Sequence, residues 1–166
     1  MKRIAVVALL LSMALTAPLI AKEKSATVDM SNMNRIFLGW VDISPDEYYK
    51  QGYSTKEEFL DVIKRANLNF QDDVRAKFPG RTITAAKDRD DVNTAGNDLY
   101  VKFSDAVFTR GYRLMVGVHI IDLKTNKEVG TIPIRKYTGR LCGLESCMHK
   151  ELEQVADELK SQLGGK

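Results

Sequence analysis

A long amphipathic helix constrains the fold more than any other feature of this sequence. Between Ser54 and Pro79, apolar residues recur every three or four positions, as they do along one face of an α-helix. These residues are Phe59, Ile63, Ala66, Phe70, Val74 and Phe78. Ser54 and Glu57 form a capping-box pattern at the start, and Pro79-Gly80 ends the helix. A helix of about 24 residues is long enough to lie across a whole small sheet.

Short strands are predicted before and after this helix. Residues 35–43 carry apolar side chains on both alternating sets, which is typical of a strand covered on both faces, and residues 81–87 form a second candidate. From Leu99 the apolar period changes to two, which predicts that Leu99, Val101, Phe103 and Val107 point the same way. A turn at 124–127 then joins two strands as a hairpin, in which Pro133 indicates an edge strand or a bulge.

A second amphipathic helix is predicted over residues 144–163. Its apolar stripe consists of Met148, Leu152, Val155, Leu159 and Leu163. Two such helices need one apolar sheet face to cover, so residues 35–163 are predicted to form a single α+β domain. We expect a mixed, mostly antiparallel sheet of four to five strands with both helices on one face, in the order β-α-β-β-β-β-α. Residues 22–34 are polar without a period and are predicted to be a flexible lead.

The first 21 residues are typical of a cleavable signal peptide. A basic start, Met1-Lys2-Arg3, precedes an apolar run over 4–15 and small residues up to Ala21. The apolar run would span about 18 Å as a helix, which is too short to cross a hydrocarbon core of about 30 Å. We therefore expect a periplasmic or secreted protein with no transmembrane anchor after cleavage at Ala21.

Charge gives no indication of a nucleic-acid partner. The formal net charge is +3, and removal of Lys2 and Arg3 leaves +1, with the remaining charges interspersed along the chain. No motif in the sequence indicates a cofactor.

Two segments of the chain resemble a loose group of bacterial envelope domains. The first is the strand Asp98-Leu99-Tyr100-Val101, which follows a long helix that ends in Phe78-Pro79. The second is the hairpin HIIDLKTNKEVGTIPI over 119–134, which is followed by a C-terminal helix that closes the domain. The group includes the amino-terminal domain of TolB, the periplasmic domain of the curli secretion lipoprotein and related uncharacterised families. The resemblance implies a binding or accessory role in the envelope, and it carries over no functional residue.

Cys142 and Cys147 are the two cysteines of the chain. In an exported protein such a pair is expected to form a disulfide. Two alternatives stay open at this stage: a redox site at the start of the last helix, and a zinc site that adds His149.

Aromatic residues form the candidate binding surface. Tyr48, Tyr49 and Tyr53 lie within six residues and follow the strand that contains Trp40. Tyrosine and tryptophan are enriched at binding surfaces, so these four residues are predicted to contact another envelope protein or a glycan. The alternative is that the tyrosine rings cover the open end of the sheet.

No group of residues satisfies the pattern of a catalytic or metal site. His119 lies on a strand, and Ser104 and Asp105 are on a nearby one, but no nucleophile motif surrounds either position. The loop over 88–98 approaches a calcium motif and lacks its bidentate glutamate, since Lys102 stands at that position. The sequence therefore predicts a non-enzymatic binding or accessory protein of the bacterial envelope. A hydrolase with a site near His119, and a subunit that pairs through an edge strand, are the alternatives.

Overall fold

The structure is a computed structural model that describes residues 30–109, 113–134 and 143–164. The described residues form β1 (Arg35–Leu38), α1 (Lys56–Lys77), β2 (Thr82–Ala85), β3 (Leu99–Thr109), β4 (Arg113–Asp122), β5 (Lys127–Thr131) and α2 (Leu144–Leu163). A 3-10 helix over Pro45–Gln51 lies between β1 and α1. The predicted signal peptide and residues 22–29 of the predicted lead lie outside the described residues.

The five strands form one mixed sheet in the order β2-β1-β3-β4-β5. β1 is parallel to both of its neighbours, whereas β3, β4 and β5 form an antiparallel meander. The antiparallel ladders are the longer ones, because β3 and β4 pair along almost their whole length. The predicted α+β class and element order are confirmed.

One face of the sheet and the two helices enclose the core. The inward side chains of the central strands include Ile36, Leu38, Leu99, Val101 and Ile120, all at most 1% exposed. α1 covers them with Phe59 and Phe70, and α2 with Met148 and Leu152. Each fully buried side chain of this size contributes about 1.5–3 kcal/mol of hydrophobic stabilisation. Met30 and Met33, in the predicted lead, also pack partly against this core.

The opposite face of the sheet is covered near β1 and open near β4. Phe37 points to this face and is buried, because Tyr100 packs edge-to-face on it and residues of the 86–98 loop lie beside it. Farther along the sheet, Val107 and Met115 are 50% and 58% exposed. The prediction that Val107 points the same way as Leu99, Val101 and Phe103 is wrong. A register shift between Ser104 and Val107 inserts an extra residue into β3, which reverses the faces beyond it.

Three element boundaries bear on the sequence predictions. β1 ends at Leu38, although the apolar pattern continues to residue 43. Thr55 caps α1 in place of the predicted Ser54: its side chain accepts the Glu58 amide at 3.2 Å, while the Glu58 carboxylate accepts the Ser54 amide at 3.3 Å. α2 has the predicted bounds. None of the helices in the described part of the chain has the length and apolar character needed to cross a bilayer.

Candidate binding cleft and an adjacent polar chain

Gly39 marks the point at which the chain leaves the sheet after β1. Its amide donates to the Val101 carbonyl oxygen at 2.8 Å, one residue beyond the last residue of β1. A Cβ atom at position 39 would lie 2.9 Å from that oxygen and 3.2 Å from the Tyr100 ring. A residue without a side chain is therefore required for this close approach.

Asn67 of α1 draws the chain away from β3 immediately afterwards. Its side-chain oxygen accepts the Val41 amide at 2.8 Å, and its side-chain nitrogen donates to the Val41 carbonyl at 2.9 Å. Asn67 is fully buried, so these bonds replace the strand partners that Val41 would otherwise need. The residues on either side of Val41, Trp40 and Asp42, are thereby placed beside β3 without pairing with it.

The divergence of β1 and β3 opens a cleft, which we call the Trp40 cleft. It has a volume of about 270 Å³ and is lined by Trp40, Asp42, Phe103, Ser104 and Ala106. The cleft lies beyond the carboxyl end of β1, where ligands bind in open sheets with parallel strands. Of the three predicted binding residues whose side chains the structure describes, Trp40, Tyr48 and Tyr53, it is Trp40 that lines the cleft.

Asp42 gives the Trp40 cleft a partly desolvated carboxylate. Burial raises the pKa of this carboxyl, attraction to the Arg89 guanidinium lowers it, and repulsion from Asp90 raises it; the net direction is upward. Arg89 lies 3.9 Å away and also lies 3.5 Å from Asp90, so its charge is shared. A cation entering the cleft would therefore gain from a carboxylate that is incompletely compensated.

Three polar side chains contact one another in a row across the open face next to the cleft, and we call this row the polar chain. The Ser104 hydroxyl lies 3.3 Å from His119 Nε2, and Nδ1 of the same ring lies 2.8 Å from the Glu128 carboxylate. These residues come from the adjacent strands β3, β4 and β5. Gly117 makes room for the pair, because a Cβ atom there would lie 2.6 Å from the serine oxygen and 2.8 Å from Nε2.

Ser104 connects the polar chain to the cleft and stands at the start of a β-bulge. Between the pairs Ser104–Gly117 and Val107–Met115, two residues of β3, Asp105 and Ala106, lie opposite the single Val116 of β4. Such bulges leave an amide unpaired and redirect nearby side chains. The cleft is therefore lined by a serine that contacts an imidazole and stands next to a bulge.

The two predicted tyrosines whose side chains the structure describes lie against the core. Tyr48 and Tyr53 are partly buried against the core, and Tyr53 packs edge-to-face on Phe59 with ring centroids 5.5 Å apart. Tyr49 lies in the 3-10 helix, and its side chain is outside the described residues. The structure places Tyr48 and Tyr53 against the core, and neither is among the described residues that line the Trp40 cleft.

The 88–98 loop uses its carboxylates in its own turns. Asp88 accepts the amides of Asp90 and Asp91, and Asp91 accepts the amide of Lys87. Within residues 30–109, 113–134 and 143–164, no three histidine, cysteine or acidic side chains are grouped in a way that could hold a metal ion.

The predicted disulfide stays a prediction. Cys147 is fully buried in the first turn of α2. Cys142 lies outside the described residues.

Sequence reasoning missed Asp42, Gly117, Glu128 and the role of Asn67. Glu128 could have been found from the predicted hairpin, whose register pairs it with Ile121, two residues after His119 on the same face of β4. The other three depend on contacts between distant segments, for which the sequence carries no local signal.

Comparisons with protein-family models, with curated proteins and with solved structures give no significant match.

Proposed function

We propose that this chain is an exported, non-enzymatic accessory protein of the bacterial cell envelope that binds a partner at the Trp40 cleft. The observation that carries the proposal is the cleft itself, which combines an indole ring with a partly desolvated carboxylate beside an open stretch of sheet. The signal-peptide pattern and the two cysteines, which are expected to form a disulfide, support an envelope location.

The size of the cleft favours a side chain or a sugar unit of a larger partner over a free small molecule. Small-molecule sites usually enclose about 300–1,000 Å³. The Trp40 cleft, at about 270 Å³, lies below that range and opens onto a broad surface. A macromolecular partner can fill such a cleft with one group and gain further contact area around it.

Replacement of Trp40 tests this proposal. We expect Trp40→Ala to reduce capture of the partner from envelope extracts at least tenfold, with a melting temperature close to that of the unaltered protein. Val92→Ser is the matched control, since Val92 is 56% exposed on a loop and does not line the cleft. Equal capture by Trp40→Ala and the unaltered protein would place the binding site elsewhere.

The polar chain supports a second candidate, an exported esterase or related hydrolase. With a proton on Nδ1, His119 donates to Glu128, and Nε2 can accept the Ser104 proton. Ser104 Oγ would then attack an ester carbonyl, His119 would pass that proton to the departing alcohol, and water would release the acyl group from serine. A backbone amide freed by the bulge after Ser104 would be the donor for the developing negative oxygen.

Labelling with a fluorophosphonate distinguishes the second candidate from the first. A hydrolase should be labelled at Ser104, and the label should be lost in Ser104→Ala and His119→Ala. Gly117→Ala should also reduce labelling at least tenfold, because the new methyl group would separate serine from histidine. Gly80→Ala is the control, since no atom lies within 4 Å of its added Cβ. Absence of labelling in the unaltered protein would exclude this serine as an activated nucleophile.

A further inference from the structure

We infer that the partner contributes an extended peptide segment, which adds as a strand to β3 beyond the end of β1 and inserts a lysine or arginine side chain between Trp40 and Asp42. This inference rests on the proposed binding function and specifies the partner as a protein segment.

The first observation is the open edge of β3. This strand has 11 residues, but β1 pairs with it only over Leu99–Val101. From Lys102 onward, no strand among the described residues lies on that side of β3. An exposed strand edge offers a row of amide and carbonyl groups, which other chains use for strand addition.

The direction of the backbone groups supports pairing next to the cleft. The Val101 carbonyl points toward β1, because it accepts the Gly39 amide. Backbone groups alternate along a strand, so Phe103, two residues later, directs its amide and carbonyl to the same side. Phe103 also lines the Trp40 cleft, so a strand bonded to it would place a side chain there.

The described segment that follows β1 does not pair with β3 at this position. Asn67 binds both backbone groups of Val41 and holds the segment after β1 against α1. The peptide segment of the partner, which we call the guest segment, would therefore lie beside β3 where β1 would have continued after Gly39. The β-bulge between Ser104 and Val107 interrupts regular geometry, so we expect pairing to be short and centred on Phe103.

The chemistry of the cleft selects a cationic side chain. An indole face attracts ammonium and guanidinium groups, and the Asp42 carboxylate supplies the opposite charge. Arg89 is 3.9 Å from this carboxylate and 59% exposed, so it leaves room for a second cation. A glutamate in the guest segment would instead meet a like charge.

Nuclear magnetic resonance with defined peptides tests the inference on the mature chain. The probes are acetylated and amidated peptides Thr-Thr-Val-Xaa-Val-Thr, in which Xaa is arginine, norleucine or glutamate, and the arginine peptide with alternate amides N-methylated. We expect the arginine peptide to bind at least tenfold more tightly than the glutamate peptide. It should also slow hydrogen exchange of the Phe103 amide at least tenfold.

Variants separate the charge from the backbone pairing. Asp42→Asn should reduce the preference for arginine over glutamate to less than threefold. Asp72→Asn, which removes an exposed carboxylate of α1 that does not line the cleft, should leave the preference unchanged. N-methylation should abolish protection of Phe103.

The inference and the proposed function fail in different ways. If Trp40→Ala abolishes capture of the envelope partner but no peptide protects Phe103, or the N-methylated peptide binds equally well, strand addition is wrong and the binding function stands. If an oligosaccharide perturbs Trp40 and the peptides do not, the partner is a glycan and the inference is overturned. If capture is also independent of Trp40, both fail.

Discussion

At the residue scale, one buried asparagine determines where the candidate site opens. Asn67 occupies a position on the apolar side of α1 between Ile63 and Phe70, where a hydrophobic residue would normally pack. It satisfies the amide and carbonyl of Val41 and also donates to the Ile63 carbonyl at 3.0 Å. Because buried polar groups need partners, the segment containing Trp40 stays attached to α1 and does not extend β1.

Removal of this side chain should destabilise the protein and alter the Trp40 cleft. We expect Asn67→Ala to lower the free energy of unfolding by about 2–4 kcal/mol, since two buried backbone groups lose their partners. Urea denaturation measures this change. Trp40 is the single tryptophan of the chain, so its fluorescence in the folded state reports any rearrangement of the cleft.

Asn69 provides the matched control on the same helix. Its side chain is exposed, so Asn69→Ala should change the free energy of unfolding by no more than about 0.5 kcal/mol. Equal effects of the two substitutions would show that the bonds to Val41 do not hold this segment in place.

At the element scale, side chains from both helices bind strand ends in the same way. Gln71 of α1 donates to the Ala86 carbonyl after β2, and Glu151 of α2 accepts the Leu114 amide at the start of β4. Together with Asn67, these buried side chains fix both helices at defined positions along the sheet. Apolar packing alone would allow the helices to slide, so the polar contacts specify the arrangement.

The start of α1 offers an element-scale prediction. The Thr55 hydroxyl accepts the Glu58 amide, which has no partner within the helix. We expect Thr55→Ala to lower the free energy of unfolding by about 1 kcal/mol, as loss of an N-cap usually does. Ser54→Ala should cost no more than about 0.3 kcal/mol, because the Ser54 contact with Glu58 uses its backbone amide. A larger loss of stability for Ser54→Ala than for Thr55→Ala in thermal or urea unfolding would support the capping box predicted at Ser54.

Local patterns predicted the elements well and their ends less well. The apolar stripes were sufficient for α1 and α2, because each helix presents one continuous face to the core. The apolar pattern makes β1 too long, since the end of this strand depends on Gly39 and on the distant Asn67. The alternating pattern gives the wrong face for Val107, because a β-bulge shifts the alternation without changing composition. The residue type of Trp40 predicts binding, but three of its neighbours in the cleft come from the distant strand β3.

At the scale of the whole molecule, Asp98 joins the starts of distant segments. Its carboxylate accepts the amides of Asn34 and Arg35 at 3.1 and 2.9 Å and pairs with the Arg35 guanidinium at 3.1 Å. Its own carbonyl accepts the Leu123 amide in the turn between β4 and β5. A single residue thus connects β1, β3 and the distal hairpin at the end of the sheet opposite the Trp40 cleft.

These contacts predict a defined dependence of stability on pH. The Arg35 side chain and the backbone amides of Arg35 and Asn34 lower the pKa of Asp98 in the folded state. A depressed carboxyl pKa stabilises the folded state above the unfolded value of about 3.9, and the contribution is lost as pH falls through the folded value. We expect Asp98→Asn to lower the free energy of unfolding by about 1 kcal/mol at pH 7, since the carboxylate is partly exposed. The difference from the unaltered protein should shrink steadily below about pH 4.

Asp61→Asn, at an exposed position of α1, serves as the control and should show no such convergence. Urea denaturation gives the free energy of unfolding of the three proteins at each pH. The measurements run from pH 2.5 to pH 7 in steps of about one unit, which covers the range in which carboxyl groups titrate. A difference between Asp98→Asn and the unaltered protein that persists at the acid end would show that Asp98 acts through its shape and not its charge.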